Sequence, residues 1–302
     1  MIEIRDLTKA YGERRAVDGL TFRVEPGRVT GFLGPNGAGK STTLRMALGL
    51  DRPTSGAALV DGMPYERLTE PLRRVGALLD AQAVHGGRTA AGHLRWIAAS
   101  HGLPARRIDE VLAAVGLSDA AGRRIRTFSL GMRQRLGIAV ALLGDPAALL
   151  LDEPVNGLDA EGIRWIRTLL RGLADEGRAV LVSSHLMAEM AQTADHLVVI
   201  GRGRLLADTS TAGFLADHGR RRVRVRAVDP AALAALLAEA HPEAVPVGDG
   251  AYDVPDAEPG ELGALAASRR VVLIELSVTH DSLEDAFMRM TADAVEYRAV
   301  AA

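Results

Sequence analysis

The sequence predicts an α/β protein, with a helical insert in its first domain and a smaller α+β domain at its carboxyl end. Over the first two thirds of the chain, short apolar runs alternate with helical patterns, as in a parallel sheet with crossover helices. A segment from about 89 to 144 contains helical patterns alone, and the composition changes after about 215. The length of 302 residues suits two domains of roughly 150 residues each. We therefore predict one domain at 1–215 and a second at 216–302.

The strands of the first domain are predicted where runs of apolar and β-branched residues stand between turn signals. They lie at 29–33, 57–60, 75–79, 148–151, 179–183 and 197–200. The residues Gly201-Arg202-Gly203-Arg204 predict a hairpin turn that leads into one more strand at 205–208. Within the insert, Pro104 starts one helix, and Pro146 follows the last helix.

The second domain is predicted to follow the order β-α-β-β-α-β and to end in a helix. Its first strand is the run from Arg220 to Arg226, where valine alternates with arginine as on a strand with one solvent-exposed face. The helix and turn signals are Asp229-Pro230, Gly248-Asp249-Gly250 and the capping box Ser282-x-x-Asp285. This order matches the ferredoxin-like arrangement. The domain carries no combination of nucleophile, base and orienting group, so we interpret it as regulatory or oligomerising.

The composition excludes several classes of function. The chain has no cysteine, which excludes disulfide scaffolds, thiolate metal sites and cysteine nucleophiles. A net charge of -2 gives no electrostatic basis for binding nucleic acid. The longest uncharged apolar stretch, 136–144, is far shorter than the roughly 20 residues that span a bilayer. The charged amino terminus lacks the apolar region of a secretion signal, so we expect a cytoplasmic protein.

A phosphate-binding loop is the strongest motif of the chain. Its residues, Gly34-Pro35-Asn36-Gly37-Ala38-Gly39-Lys40-Ser41, fit the pattern G-x-x-x-x-G-K-[ST] between a predicted strand and a helical run that starts at Thr42. The glycines let backbone N–H groups point at phosphate oxygens, and the helix N-terminus adds positive potential. Lys40 reaches the terminal phosphates, and Ser41 supplies a hydroxyl group for magnesium. Only two of the 36 basic residues are lysines, which makes Lys40 informative, because arginine is too large for this place.

Two carboxylates at the end of an apolar strand complete the predicted site. The strand at 148–151 is followed by Asp152 and Glu153. Asp152 can hold magnesium through its water shell, and Glu153 can polarise the water that attacks the γ-phosphate. Guanine specificity requires the motif Asn-Lys-x-Asp. The chain has lysines only at positions 9 and 40, and neither belongs to such a motif, so guanine specificity is excluded.

The segment Phe128-Ser129-Leu130-Gly131-Met132-Arg133-Gln134-Arg135, at the start of a helical run, resembles the signature of ABC transporter ATP-binding subunits, usually written LSGGQ. Ser129 and Gly131 match it, whereas Leu130 and Met132 depart from it in a way similar to drug-exporting branches of the family. The resemblance covers about 1–215. It implies a P-loop NTPase sheet with an antiparallel β subdomain and the helical insert. It also implies a homodimer in which Ser129 and Gly131 act on the ATP of the other subunit. Without the resemblance, Ser129 is a helix N-cap.

The resemblance assigns roles to further residues. Tyr11 is the aromatic side chain on which adenine stacks, or else a loop tyrosine packed on the core. Asp159 belongs to the loop that passes between subunits, and His185 contacts the γ-phosphate. The family places a glutamine near magnesium where this chain has Asp80, with Gln82 two positions later. We favour Asp80 as a direct magnesium ligand. Alternatively, Gln82 takes this role, or the loop serves mainly to couple ATP hydrolysis to transport.

Together these features predict a Mg-dependent ATPase subunit that drives a separately encoded membrane permease. The resemblance places it on the inner face of the cell membrane, bound to that permease. The signature and the run from Ser282 to Phe287 are similar to exporters of drugs or antibiotics. One alternative is a soluble ABC-type factor that acts on ribosomes or DNA. Another is a P-loop enzyme that modifies a small substrate. No nucleic acid partner is expected, because aromatic residues do not alternate with the arginines of 220–226.

Overall fold

The computed structural model describes residues 1–291. The described chain forms two compact units, Met1–Thr211 and Ala212–Met290. The predicted second domain also includes 292–302, which lie outside the described residues. No helix within 1–291 is both long and apolar enough to cross a membrane.

The first unit contains nine strands in the described chain. They are β1 (Ile2–Tyr11), β2 (Arg14–Val24), β3 (Arg28–Leu33), β4 (Ser55–Val60), β5 (Val75–Leu78), β6 (Ala148–Asp152), β7 (Ala179–Ser183), β8 (His196–Gly201) and β9 (Arg204–Ser210). Six of them form one sheet in the order β5-β6-β7-β3-β8-β9, parallel except for β9, and β2-β1-β4 form an antiparallel sheet. The strands predicted from the sequence are confirmed, with ends that differ by one or two residues.

The strands β1 and β2 form a hairpin, and neither is among the strands predicted from the sequence. Both strands carry many charged and half-exposed side chains, and their pairing contains several register shifts. Charged positions and irregular pairing interrupt the apolar alternation that identifies a strand from sequence.

The helices of the first unit are α1 (Lys40–Ala47), α2 (Pro71–Arg74), α3 (Ala90–Ser100), α4 (Arg106–Ala114), α5 (Leu130–Leu142), α6 (Ala160–Asp175) and α7 (Met187–Thr193). The segment 89–144, all of it described, contains α3, α4 and α5 and no strand. The hydroxyl groups of Thr89 and Ser129 cap α3 and α5 by accepting hydrogen bonds from backbone N–H groups in the first turn.

The order of the parallel strands brings three loops together. Strand β7 lies between β3 and β6, and nearly every side chain of these three strands is buried. Because parallel strands have their carboxyl ends at the same sheet edge, the loops that follow β3, β6 and β7 meet there. These loops carry the phosphate-binding motif, the paired carboxylates and His185.

The second unit has the predicted element order. Its elements after α8 (Thr211–His218) are β10 (Arg221–Ala227), α9 (Pro230–Ala240), β11 (Val245–Gly248), β12 (Ala251–Pro255), α10 (Pro259–Ser268), β13 (Leu273–His280) and α11 (Leu283–Thr291). The strands form an antiparallel sheet in the order β11-β12-β10-β13. The predicted order β-α-β-β-α-β-α is therefore confirmed. The capping box also forms, because Ser282 Oγ accepts from the Asp285 N–H at 3.1 Å.

The arginines of β10 are ion-paired. The pairs are Arg221 with Glu258, Arg222 with Asp281, Arg224 with Asp253 and Arg226 with Glu275, at nitrogen–oxygen distances of 2.6, 2.6, 2.8 and 3.5 Å. The intervening side chains Val223 and Val225 are buried in the core of the unit. The exposed face of β10 therefore carries arginines whose charges are balanced by carboxylates of the same unit.

Candidate nucleotide site

The phosphate-binding loop connects β3 to α1, as the sequence predicts. Two glycines are required by its geometry. Gly39 has a φ of 104°, and a Cβ atom there would lie 2.4 Å from the carbonyl oxygen of Ala16. A Cβ atom on Gly34 would lie 2.6 Å from the carbonyl oxygen of Ile200. Since side chains cannot be accommodated at these points, the loop can follow its tight path only with glycine.

Lys40 begins α1 and is buried. Its Nζ donates hydrogen bonds to the carbonyl oxygens of Gly34 at 2.5 Å and Pro35 at 3.3 Å. Burial lowers the pKa of the Lys40 ammonium group, and the carboxylates of Glu153 and Asp152 oppose this shift. The ammonium group is therefore desolvated and bonded to neutral acceptors. Phosphate oxygens would give it stronger, charge-assisted bonds.

Ser41 and Asp152 form a pair of oxygen donors beside the loop. Ser41 Oγ donates to Asp152 Oδ2 at 2.7 Å, and Ser183 Oγ donates to the other carboxylate oxygen. No cluster of three or more His, Cys, Asp or Glu residues able to hold a metal occurs in the described part of the chain. A hydroxyl and one carboxylate suit magnesium, which takes oxygen ligands and fills its remaining positions with water and substrate phosphates.

Glu153 is held by contacts from three other elements. Its N–H donates to Ser183 Oγ at 2.9 Å, and its Oε2 lies 2.7 Å from His185 Nδ1. Its carbonyl oxygen accepts from Gln134 Nε2 at 3.1 Å. The Glu153 backbone has a φ of 50°, a left-handed conformation that costs a non-glycine residue about 1–2 kcal/mol. The surrounding bonds maintain this conformation and point the carboxylate toward His185.

Gln134 is a site residue that the sequence analysis does not identify. It lies in α5, the helix that begins after Ser129, and it is only 5% exposed. A buried glutamine requires a hydrogen-bond partner, but this burial is visible only in the structure, so the sequence carries no signal for the role of Gln134. The partner is the backbone of Glu153, a residue far away in sequence.

We predict that Gln134→Met lowers ATP turnover about fivefold without changing the affinity for ATP. The loss of one hydrogen bond, about 1 kcal/mol, weakens the hold on Glu153 while the phosphate contacts stay in place. Steady-state turnover and titration with a fluorescent ATP analogue measure the two effects separately. The control is Gln192→Met, on an exposed glutamine of α7. A parallel loss of ATP affinity and turnover in Gln134→Met would contradict the assigned role.

A cleft of about 500 Å³ contains most of the predicted nucleotide-binding residues. It is lined by Tyr11, Arg14, Ala16, Asn36, Gly37, Ala38, Gly39, Lys40, Ser41, Thr42, Asp152 and Glu153. Gly34 lies at the base of the loop and does not line the cleft. Tyr11 is 53% exposed, with Lys9 Nζ 5.0 Å from its ring centroid, so it is not packed in the core. Its accessible ring face suits stacking on a base. Arg14, which the sequence analysis does not identify, also faces this cleft.

Asp80 and Gln82 are the two candidates for the role of the glutamine that the resemblance leads us to expect near magnesium. Both line a second cleft, of about 570 Å³. Asp80 and Gln82 lie there with Asp152 and Glu153. Asp80 Oδ1 accepts a hydrogen bond from the Gln82 N–H at 2.7 Å, which ties the two candidates into one turn. The choice of Asp80 as a magnesium ligand stays a prediction.

Ser129, Gly131 and Asp159 do not lie in the nucleotide cleft. They line a separate cleft of about 470 Å³ with Gly157 and Leu158. Ser129 Oγ accepts from the Met132 N–H at 3.2 Å, and Asp159 Oδ1 accepts from the Gly162 N–H at 2.8 Å. Both side chains are therefore N-caps, and they mark the N-termini of α5 and α6 on one surface.

Comparisons with known proteins match both units of the chain. A family model described as ABC transporter matches 17–156, and a domain of unknown function matches 221–284. The bacitracin transport ATP-binding protein of Bacillus licheniformis is 37% identical, over 96% of this chain and 97% of that protein. The lantibiotic transport ATP-binding protein of Streptococcus pyogenes is 34% identical, over 70% of this chain and 92% of that protein.

Solved structures resemble the first unit. The ATP-binding subunit of an ABC transporter has a TM-score of 0.66 and 27% identity, over 72% of this chain and 92% of that chain. A dimeric bacterial ABC transporter cassette has a TM-score of 0.64 at 23% identity, which shows a shared fold. The predicted α/β fold of the first domain is thereby confirmed.

Proposed function

The chain belongs to the ABC transporter family, and we propose that it is the ATP-binding, ATP-hydrolysing subunit that energises a separately encoded membrane permease. The observation that carries this proposal is the cleft in which Lys40, Ser41, Asp152 and Glu153 meet. Phosphoryl transfer to water requires a phosphate-binding loop, oxygen atoms that bind a metal ion, and a carboxylate that acts as a base. The match to a transport ATP-binding protein over 96% of this chain favours this function over a soluble factor for ribosomes or DNA.

The side chains of the cleft have separate roles in the proposed reaction. Lys40 and the loop N–H groups bind the β- and γ-phosphates, and Tyr11 stacks on adenine. Ser41 and Asp152 hold magnesium, which when bound neutralises charge on the phosphates. Glu153 accepts a proton from the attacking water, while His185 orients the Glu153 carboxylate and contacts the γ-phosphate. The 2.7 Å contact between Glu153 and His185 supports this pairing.

A second copy of the chain completes the site in this proposal. Ser129, Gly131 and Asp159 face a cleft of their own, so they cannot serve the nucleotide of the same chain from the positions observed. The N-terminus of α5 carries N–H groups and a hydroxyl group that suit a phosphate. We therefore propose a homodimer with two ATP molecules, each bound by the loop of one copy and capped by α5 of the other.

We predict that ATP induces dimerisation of Glu153→Gln and that it induces none in Glu153→Gln/Ser129→Arg under the same conditions. A bulky arginine at the N-cap removes the cap and fills the space that the γ-phosphate of the second copy needs. Size-exclusion chromatography with light scattering, with and without ATP, measures the difference. Ser100→Arg, on an exposed serine at the end of α3, is the control. If Glu153→Gln and Glu153→Gln/Ser129→Arg dimerised equally with ATP, the proposed contact would be excluded.

The relatives support a proposal for the cargo and the location. Those that span most of this chain include bacitracin transport proteins from two organisms. We propose export of an antibiotic, drug or other hydrophobic compound, with the chain bound to its permease at the cytoplasmic face of the membrane.

Copurification tests the proposed function. The chain, tagged and expressed in its own host, is purified from detergent-solubilised membranes, and its partners are identified by mass spectrometry. A stoichiometric multi-spanning membrane protein is the expected partner. Recovery of ribosomes, or of the chain alone, would contradict the proposal.

A further inference from the structure

An apolar stripe runs along an edge strand of the second unit. Strand β13 is the last strand of the order β11-β12-β10-β13 and pairs with β10 on one side. Four alternate side chains in and before it, which we name the β13 stripe, are 36% to 65% exposed. They are Val272, Ile274, Leu276 and Val278. Exposed alternate apolar residues on a sheet edge indicate a surface that binds another strand or protein.

The two edges of this sheet differ in how well they are protected against pairing with another strand. Strand β11, at the opposite edge, has four residues and contains Pro246, which has no N–H group to donate. Strand β13 has eight residues and contains neither proline nor a basic residue other than His280. Its pairing with β10 is regular from Glu275 to His280, with an irregularity only at its start. Among residues 1–291, no strand pairs with the outer edge of β13, and this edge carries the stripe.

A second copy of β13 matches this edge in shape and charge. In an antiparallel pair centred on Ser277, Leu276 of each copy lies opposite Val278 of the other, on the same face of the sheet. Glu275 lies opposite Thr279, so no like charges face each other. The Glu275 carboxylate is also paired within its own chain, with Arg226 Nε at 3.5 Å. In this register Leu276 and Val278 are self-complementary, as a two-fold symmetric interface requires, whereas Ile274 of each copy lies opposite His280 of the other.

We propose that two copies of the chain join through their β13 strands and form a continuous eight-stranded antiparallel sheet. This contact goes beyond the proposed ATPase function, because it needs no nucleotide and uses none of the residues of the nucleotide site. A single strand pair buries less surface than a stable interface of about 1,200 Å². The pairing is accordingly weak in free solution and strengthened when a common permease holds both copies.

Sedimentation velocity of the full chain without nucleotide and with EDTA tests the contact. The parent protein is expected to show a concentration-dependent dimer. The change Val278→Lys should weaken dimerisation by about tenfold or more, because a lysine then faces the apolar stripe of the partner. The matched control, Val245→Lys on β11, also replaces an exposed edge valine and should dimerise like the parent. A parent that stays monomeric, or equal weakening by both changes, would overturn the proposal.

Cysteine crosslinking provides a second measurement that does not depend on a destabilising change. The chain has no cysteine, so Ser277→Cys introduces a single thiol at the centre of the proposed pair. Mild oxidation should give a disulfide-linked dimer with Ser277→Cys and little with Val247→Cys on β11. No crosslink at Ser277, or equal crosslinking at both sites, would overturn the proposal. So would a dimer that forms only after removal of 292–302, because that segment would then occupy the stripe.

Failure of the proposed β13 contact can be distinguished from failure of the proposed function. ATP binding and copurification of the permease, which test the proposed function, are measured with the same parent protein. Loss of the β13 contact leaves the nucleotide site intact.

Discussion

Replacing Glu153 by glutamine is expected to lower ATP turnover by about three orders of magnitude while ATP still binds. Glutamine has nearly the same shape as glutamate, and its amide oxygen can keep the contact that Glu153 Oε2 makes with His185. An amide cannot accept the proton that the attacking water releases. The backbone carbonyl of residue 153 accepts from Gln134, and its backbone N–H donates to Ser183 Oγ, so neither hydrogen bond depends on the side chain of residue 153. The change therefore removes the base and little else.

Single-turnover hydrolysis and ATP titration of Glu153→Gln test this role. Glu189→Gln is a matched control, because the Glu189 side chain is 23% exposed, the Glu153 side chain is 22% exposed, and each is paired with a basic partner. Glu189 pairs with Arg167, away from the nucleotide cleft, so its variant should hydrolyse ATP like the parent. Unchanged turnover in Glu153→Gln would refute the assignment of Glu153 as the base.

Replacing Lys40 by alanine is expected to weaken ATP binding by about two to three orders of magnitude. Charge-assisted hydrogen bonds contribute about 1.5–3 kcal/mol each, and the ammonium group can donate more than one to the phosphates. Lys40→Arg should fail as well, although it keeps the charge. The buried site between the carbonyl oxygens of Gly34 and Pro35 has space for a compact ammonium group but not for a planar guanidinium group.

Titration with a fluorescent ATP analogue measures the affinity of both Lys40 variants. Lys9→Ala is the natural control, because Lys9 is the only other lysine of the chain. Lys9 donates to the carbonyl oxygen of Arg52 and lies over the ring of Tyr11, so its loss should change affinity far less. Lys40→Ala that binds ATP as tightly as the parent would invalidate the phosphate site proposed for this chain.

Local sequence patterns were sufficient for the main strands of the first unit and for the element order of the second. The buried parallel strands are short apolar runs, and the second unit has strong caps at Asp229 and Ser282. The hairpin of β1 and β2 was not found this way, because its pairing with register shifts is a property of two strands together. Tyr11 illustrates the same limit. Its exposure, which decides between stacking on a base and packing in the core, depends on its neighbours in space.

The sequence by itself determined the phosphate-binding loop and the paired carboxylates, because each motif is a continuous run whose chemistry depends on residues next to one another. Only the tertiary structure decided that Gln134 holds the backbone of Glu153, that Ser129 lies in a separate cleft, and that β13 is the last strand of its sheet in the described part of the chain. These are relations between residues distant in the chain. They depend on strand order, register and helix placement, which are set by the packing of the whole unit and not by any short segment.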